Sequence, residues 1–126
     1  MTPETEKMLR ETFVEAAQTR YDYWEQNEEG LDPEIGSGGI CSIIADEAVA
    51  HFLEAGYDAW PTGTDEHCWV AIEVDGEVLE VDIPCSRYEI GAGYNWKKIP
   101  DVQFTVDDVL IWVSERDTVE ECAHLM

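Results

Sequence analysis

The chain is poor in positive charge. Of its 126 residues, seven are Lys or Arg against 29 Asp or Glu, giving a net charge of −22. Such a surface repels phosphates and anionic lipid, so neither nucleic acid nor membrane is expected as a partner. A cationic partner is favoured at low salt. Lys occurs only as Lys7, Lys97 and Lys98, and solubility or adaptation to high salt explains the charge without any partner. A docking face for a basic protein and mimicry of DNA are the other readings, and charge alone does not choose among them. Long apolar runs are missing too, with nothing near the roughly 20 residues that cross a bilayer. Met1–Thr5 has neither the basic nor the apolar segment of a secretion signal. There is no C-x-x-C pair: Cys41, Cys68, Cys85 and Cys122 are scattered. They read as reduced thiols in a cytoplasmic protein rather than as a disulfide framework. A zinc site from Cys41, His67, Cys68 and Cys85 follows no usual ligand spacing, and no metal or other cofactor is expected.

What is present supports a packed core. Apolar residues make up 44% of the chain, with five Trp and five Tyr, and a chain of this length buries roughly two-thirds of its unfolded surface. No repeat, low-complexity tract or linker divides it. The expected organisation is a single α+β domain over residues 1–126, with helices packed on a small antiparallel sheet. Residues 1–30 form an N-terminal helix, 38–114 the core that carries the chemistry, and 115–126 a tail.

The first helix is expected from Pro3 to Glu29, capped by Thr2 and with Pro3 at its first position. Leu9, Phe13, Ala16, Ala17, Tyr21 and Trp24 recur at three- and four-residue steps and mark its buried stripe. A glycine-rich loop follows to Gly39. A second helix runs from about Cys41 to Glu54, with Cys41, Ile44, Ala45, Ala48, Phe52 and Leu53 on its inner face. Tyr57–Trp60 reads as a short strand and Pro61–Asp65 as a loop. Short extended pieces are expected at Trp96–Ile99 and Val102–Phe104, a turn at Thr105–Asp108 and a strand at Val109–Ser114, with a helix starting near Thr105 as the alternative to that strand.

The clearest local unit is a hairpin of His67–Val74 and Glu77–Ile83 about Asp75-Gly76, one of the strongest two-residue turn signals. That turn pairs Val74 with Glu77. His67 then faces Pro84 and Trp69 faces Asp82, all on one surface of the sheet. His67 and Asp82 become diagonal neighbours about 7–8 Å apart at Cα, which side chains can bridge. A slip of one residue would separate them.

This placement bears on chemistry. Free cysteine often packs as a small hydrophobe, and His67 alone could be a surface residue. Asp82, between Val81 and Ile83 on an apolar strand, needs a partner because an unpaired buried charge is costly. The hairpin supplies His67. Cys41 at a helix start, where N–H groups and dipole favour an anion, completes a nucleophile–base–acid order. Ser42 is an alternative nucleophile, and His51 and His124 are the other histidines. In this reading His67 takes the thiol proton, Asp82 fixes the ring, and first-turn N–H groups stabilise an oxyanion.

The run Gly39-x-Cys41, His67-x-Trp69-Val70, Asp75-Gly76 and Val81-Asp82 resembles the transglutaminase-like branch of the papain-like fold, over about Gly38–Pro84. The resemblance implies a papain-like or transglutaminase-like core. It also implies Cys41 as nucleophile, His67 as base and Asp82 as orienting acid in a cysteine peptidase, deamidase or acyl transferase. The substrate would be a peptide or protein, and the acidic field favours a basic one. Papain-type enzymes carry a glutamine before the nucleophile, where this chain has Glu34, Ile35 and Gly36; Trp60, Tyr88 and Tyr94 are the candidate oxyanion donors. Asp82–Lys98, with Tyr88-Glu89 and Gly91-x-Gly93-Tyr94-x-Trp96, is similar to small uncharacterised bacterial and phage proteins. The alternative function is a non-enzymatic acidic protein of such origin that binds a basic partner.

Overall fold

The computed structural model describes residues 1–27, 40–64, 67–90 and 97–115. Helix α1 spans Pro3–Asn27. Thr2 caps it as expected, its Oγ1 accepting the Thr5 N–H at 3.1 Å, and Glu4 and Glu6 complement the positive end of the dipole. Leu9, Phe13, Ala16, Ala17 and Tyr21 form one buried stripe. Helix α2 spans Ile40–Glu54, so Cys41 is its second residue rather than its opener.

The main sheet contains β1 (Asp58–Gly63), β2 (Cys68–Val74), β3 (Glu77–Asp82) and, after the two-residue strands β4 (Glu89–Ile90) and β5 (Lys97–Lys98), β6 (Leu110–Val113). Its order is β1-β2-β3-β6, and every pairing is antiparallel. β4 and β5 pair only with each other. The protein is therefore α+β, two helices packed on a small antiparallel four-stranded sheet. Val70, Ile72, Val74, Leu79 and Val81 join the helix stripes in one core. The alternate positions Trp69, Glu80, Asp82 and Trp112 lie on the other face of the sheet.

The hairpin register is the expected one, with Val74 opposite Glu77 and Val70 opposite Val81. Asp75 and Gly76 take φ of 52° and 81°, the left-handed pair that a tight primed turn requires.

Three expectations change. The strand foreseen at Tyr57–Trp60 begins and ends later, and Pro61-Thr62-Gly63, expected in a loop, pairs with Cys68–Val70. β1 is an edge strand, where proline is tolerated. Leu53, expected inside, is 52% exposed. The core-facing lane of α2 is Ile40, Ile44, Ala48 and Phe52, and Leu53 lies about 100° round from it in the final turn. Val102–Phe104 forms no strand and is held instead by α1: Gln18 Nε2 donates to the Val102 carbonyl at 3.1 Å and Gln18 Oε1 accepts the Phe104 N–H at 2.8 Å. The Tyr21 hydroxyl bonds the Ile99 carbonyl and accepts the Val102 N–H at 3.3 Å. The side chain of Trp24 and the tail from 116 onward, Cys122 and His124 included, lie outside the described residues.

Gly63 is required by a close approach. A Cβ there would sit 2.2 Å from the His67 carbonyl oxygen, and its φ is +152°. Gly76 also has positive φ, but open space surrounds it. Gly63→Ala is expected to cost about 3 kcal/mol in urea unfolding, against about 1–2 kcal/mol for Gly76→Ala. Equal costs would mean that the β1–β2 connection yields freely.

Candidate active site

His67 immediately precedes β2 and Asp82 closes β3, so the pair sits at one end of the sheet. The backbone of His67 is pinned by Gly63 packing against its carbonyl and by the Thr64 N–H donating to that same oxygen at 2.8 Å. Its Nε2 bonds Asp82 Oδ2 at 2.9 Å, the diagonal bridge that the hairpin register requires. Trp69 lies against the imidazole, ring centroids 5.5 Å apart and tilted 38°. The two polar side chains are largely buried, 18% and 11% exposed, so little solvent screens them.

With Nε2 committed to Asp82, Nδ1 is the nitrogen left for the thiol. Cys41, half-buried in the first turn of α2, is close enough to act on the ring as a hydrogen-bonding and charge partner. The contact is looser than a formed hydrogen bond, because Nδ1 is buried and has no partner of good geometry among the described residues. Such bonds often tighten only when substrate is present. Burial alone would lower the pKa of His67. The hydrogen bond to Asp82 and the approach of Cys41, with the attraction to the charges of both, outweigh it and raise the value to about 10. Burial pushes the Asp82 carboxyl up, while the imidazolium opposes that rise.

Three neighbours complete the surroundings. Cys85 lies in a 3-10 turn, Cys85–Arg87, and its thiol is pushed up by burial and eased by the charge of His67. Tyr88 is buried with its ring edge-on to Phe104 at 6.0 Å. Burial drives its hydroxyl well above the usual range, and the charges of Cys41, Asp82, Glu89 and Cys85 add to the effect. Arg87 anchors this turn by pairing with Asp108 at 2.7 and 3.2 Å. That bond holds the Asp108 carboxyl below its usual value. Arg10 on α1 in turn donates to the Val106 carbonyl at 3.0 Å and to that of Val109.

The remaining candidates separate. His51 pairs with Glu47 at 2.9 Å on α2. Cys68 packs against the core. Among the described residues no group of three or more His, Cys, Asp or Glu side chains is arranged to hold a metal ion, and Cys41, Cys68 and Cys85 are not joined in disulfides. Ser42 follows Cys41 in the first turn. Trp60 is half-buried on β1, while Glu34, Ile35, Gly36, Tyr94 and the glycines at 91 and 93 lie outside the described residues. Sequence reasoning weighed Cys85 only as a zinc ligand; its approach to His67 depends on how the chain turns after Pro84.

Comparison of the chain with protein-family models, curated proteins and solved structures finds no match to any of them. No helix among the described residues is long and apolar enough to cross a membrane.

The raised pKa of His67 makes stability depend on pH. The folded state holds the ring proton more tightly than the unfolded chain does. That stabilisation is complete below the ordinary value of 6.5 and is lost as pH rises through about 10. The difference in melting temperature between the wild-type chain and His67→Gln should follow the same course. A difference that stays constant across that range would remove the ion pair.

Proposed function

We propose that the protein is a thiol-dependent amide hydrolase or acyl transferase of the papain-like, transglutaminase-like kind, using Cys41, His67 and Asp82. The observation that carries this reading is the imidazole with one nitrogen bonded to Asp82 at 2.9 Å and the other buried, unpaired and left to Cys41. A buried ring nitrogen without a partner costs about 1–3 kcal/mol, a cost consistent with a position kept for chemistry.

In this reading the Cys41 sulfur reacts as a thiolate beside the imidazolium of His67, which holds its proton to about pH 10. The Cys41 sulfur attacks the amide carbonyl carbon, forming a C–S bond and an oxyanion. The first-turn backbone N–H groups of α2, at the positive end of its dipole, stabilise the growing negative charge. The oxyanion collapses, the C–N bond breaks, and His67 gives its proton to the leaving amine. The thioester remains. Water, or an amine in the transfer reaction, then attacks it while neutral His67 takes up the incoming proton. The sulfur leaves as thiolate and the pair is restored. Asp82 holds the ring orientation through both steps. We place the reaction in the cytoplasm, where Cys41 stays reduced.

Alkylation by iodoacetamide, followed by peptide mass mapping, tests the reading. Cys41 should react faster than Cys68 or Cys85 near neutral pH, with a rate that falls about 10²-fold in His67→Ala. If Cys41 reacts no faster than the other thiols and ignores His67→Ala, the catalytic reading fails. Salt-sensitive binding of polylysine would then favour the acidic interaction protein.

Turnover of a peptide amide should be lost in Cys41→Ala. Its rate should fall on the alkaline side near pH 10, where His67 loses its proton. An alkaline limb near the ordinary histidine value of 6.5 would contradict the ion-pair form.

A further inference from the structure

The face of the sheet away from the helices carries a second group of side chains, joined to the site through Trp69. Glu80 on β3 stands directly opposite Trp112 on β6. Trp69 on β2 is its diagonal neighbour and donates its indole N–H to Glu80 Oε1 at 2.6 Å. The two indoles lie 6.0 Å apart at 53°. Together with Glu115, just beyond the end of β6, these residues line a groove of about 240 Å³.

Glu80 is only 3% exposed. Among the described residues, Trp69 is the one donor to its carboxylate, a group with room for about four hydrogen bonds. A carboxylate buried to this degree calls for further compensation. The groove supplies the surroundings of a cation: two indole faces attract positive charge, and Glu115 adds a second negative group at the rim. Trp112 is 37% exposed, so an incoming side chain can reach it. This arrangement differs from the general acidity of the surface, because it combines a desolvated carboxylate with an aromatic pair. It is also close to the chemistry, since Trp69 contacts both the His67 ring and the Trp112 ring.

Building on the acyl-transfer reading, we propose that this groove is a specificity subsite that receives the cationic side chain, lysine or arginine, of a peptide substrate. The charged end lies between Trp69 and Trp112 against Glu80 and Glu115, and is recognised without reacting. Its alkyl stem runs past Trp69, which places the attached backbone amide near Cys41 and His67.

Binding and positioning can be tested separately. In Cys41→Ala, which cannot turn over, titration with N-acetyl-lysine amide, N-acetyl-arginine amide and N-acetyl-norleucine amide is followed by the indole N–H resonances. The two cationic probes should bind about tenfold more tightly than the neutral one, which keeps lysine's four-carbon stem without the ammonium, shifting the Trp69 and Trp112 signals and persisting in 0.3 M salt, at which the long-range field is screened to roughly 5–6 Å. Trp112→Leu, a change at a partly exposed position, should abolish the preference, and Glu54→Gln, which removes an exposed charge on α2, should leave it intact. Equal binding of the three probes, or equal loss in both variants, overturns the subsite.

In the wild-type chain, N-acetyl-lysine chloromethyl ketone should alkylate Cys41 about tenfold faster than the norleucine analogue, and Trp112→Leu should erase the difference. Cationic preference in binding without it in alkylation would refute the placement beside Cys41. Slow alkylation by iodoacetamide as well would locate the failure in the thiol chemistry and not in the groove.

Discussion

The bond between His67 Nε2 and Asp82 Oδ2 joins the start of one hairpin strand to the end of the next. It exists because strand side chains alternate and because a left-handed Asp75-Gly76 turn admits one register. Each neighbouring feature either holds this bond or is oriented by it. Gly63 lets β1 come close enough to pin the backbone of His67. Trp69 packs the ring from its own strand. Only the second ring nitrogen is left over, and a thiol carried by another layer of the fold acts on the same ring.

That thiol is presented by the helix layer, and α1 steadies the other side of the site. Gln18 and Tyr21 on α1 hold the segment around Ile99–Phe104, and Arg10 holds the carbonyls of Val106 and Val109. Asp108, at the end of that segment, grips Arg87 and thereby the turn that carries Cys85 beside His67. A helix remote from the hairpin in sequence thus determines the shape of the wall opposite it. The sheet is two-sided as a result. One face is apolar and packs on the helices; the other gathers Trp69, Glu80, Asp82 and Trp112.

Much of this was legible in the residues. The stripe from Leu9 to Tyr21 follows the helical period and is buried as read. The partnership of His67 with Asp82 follows from a two-residue turn and a period of two, both local rules. The misreadings are where local rules meet a neighbour. Pro61 and Gly63 look like loop residues, yet an edge position makes the proline harmless and a crowded carbonyl makes the glycine necessary. Leu53 continues an apolar pattern, but α2 reaches its last turn there.

By itself the sequence determined the two helices, the hairpin, its register and the pairing of a histidine with a carboxylate, because interactions between near neighbours along the chain control these. Tertiary structure alone decided that Cys41 would come close to His67, that Cys85 would stand nearby, and that Trp112 would stand opposite Glu80. Each of those encounters joins segments whose separation along the chain carries no periodicity. They are fixed only when helices dock on a sheet and a distant strand takes its place at the edge.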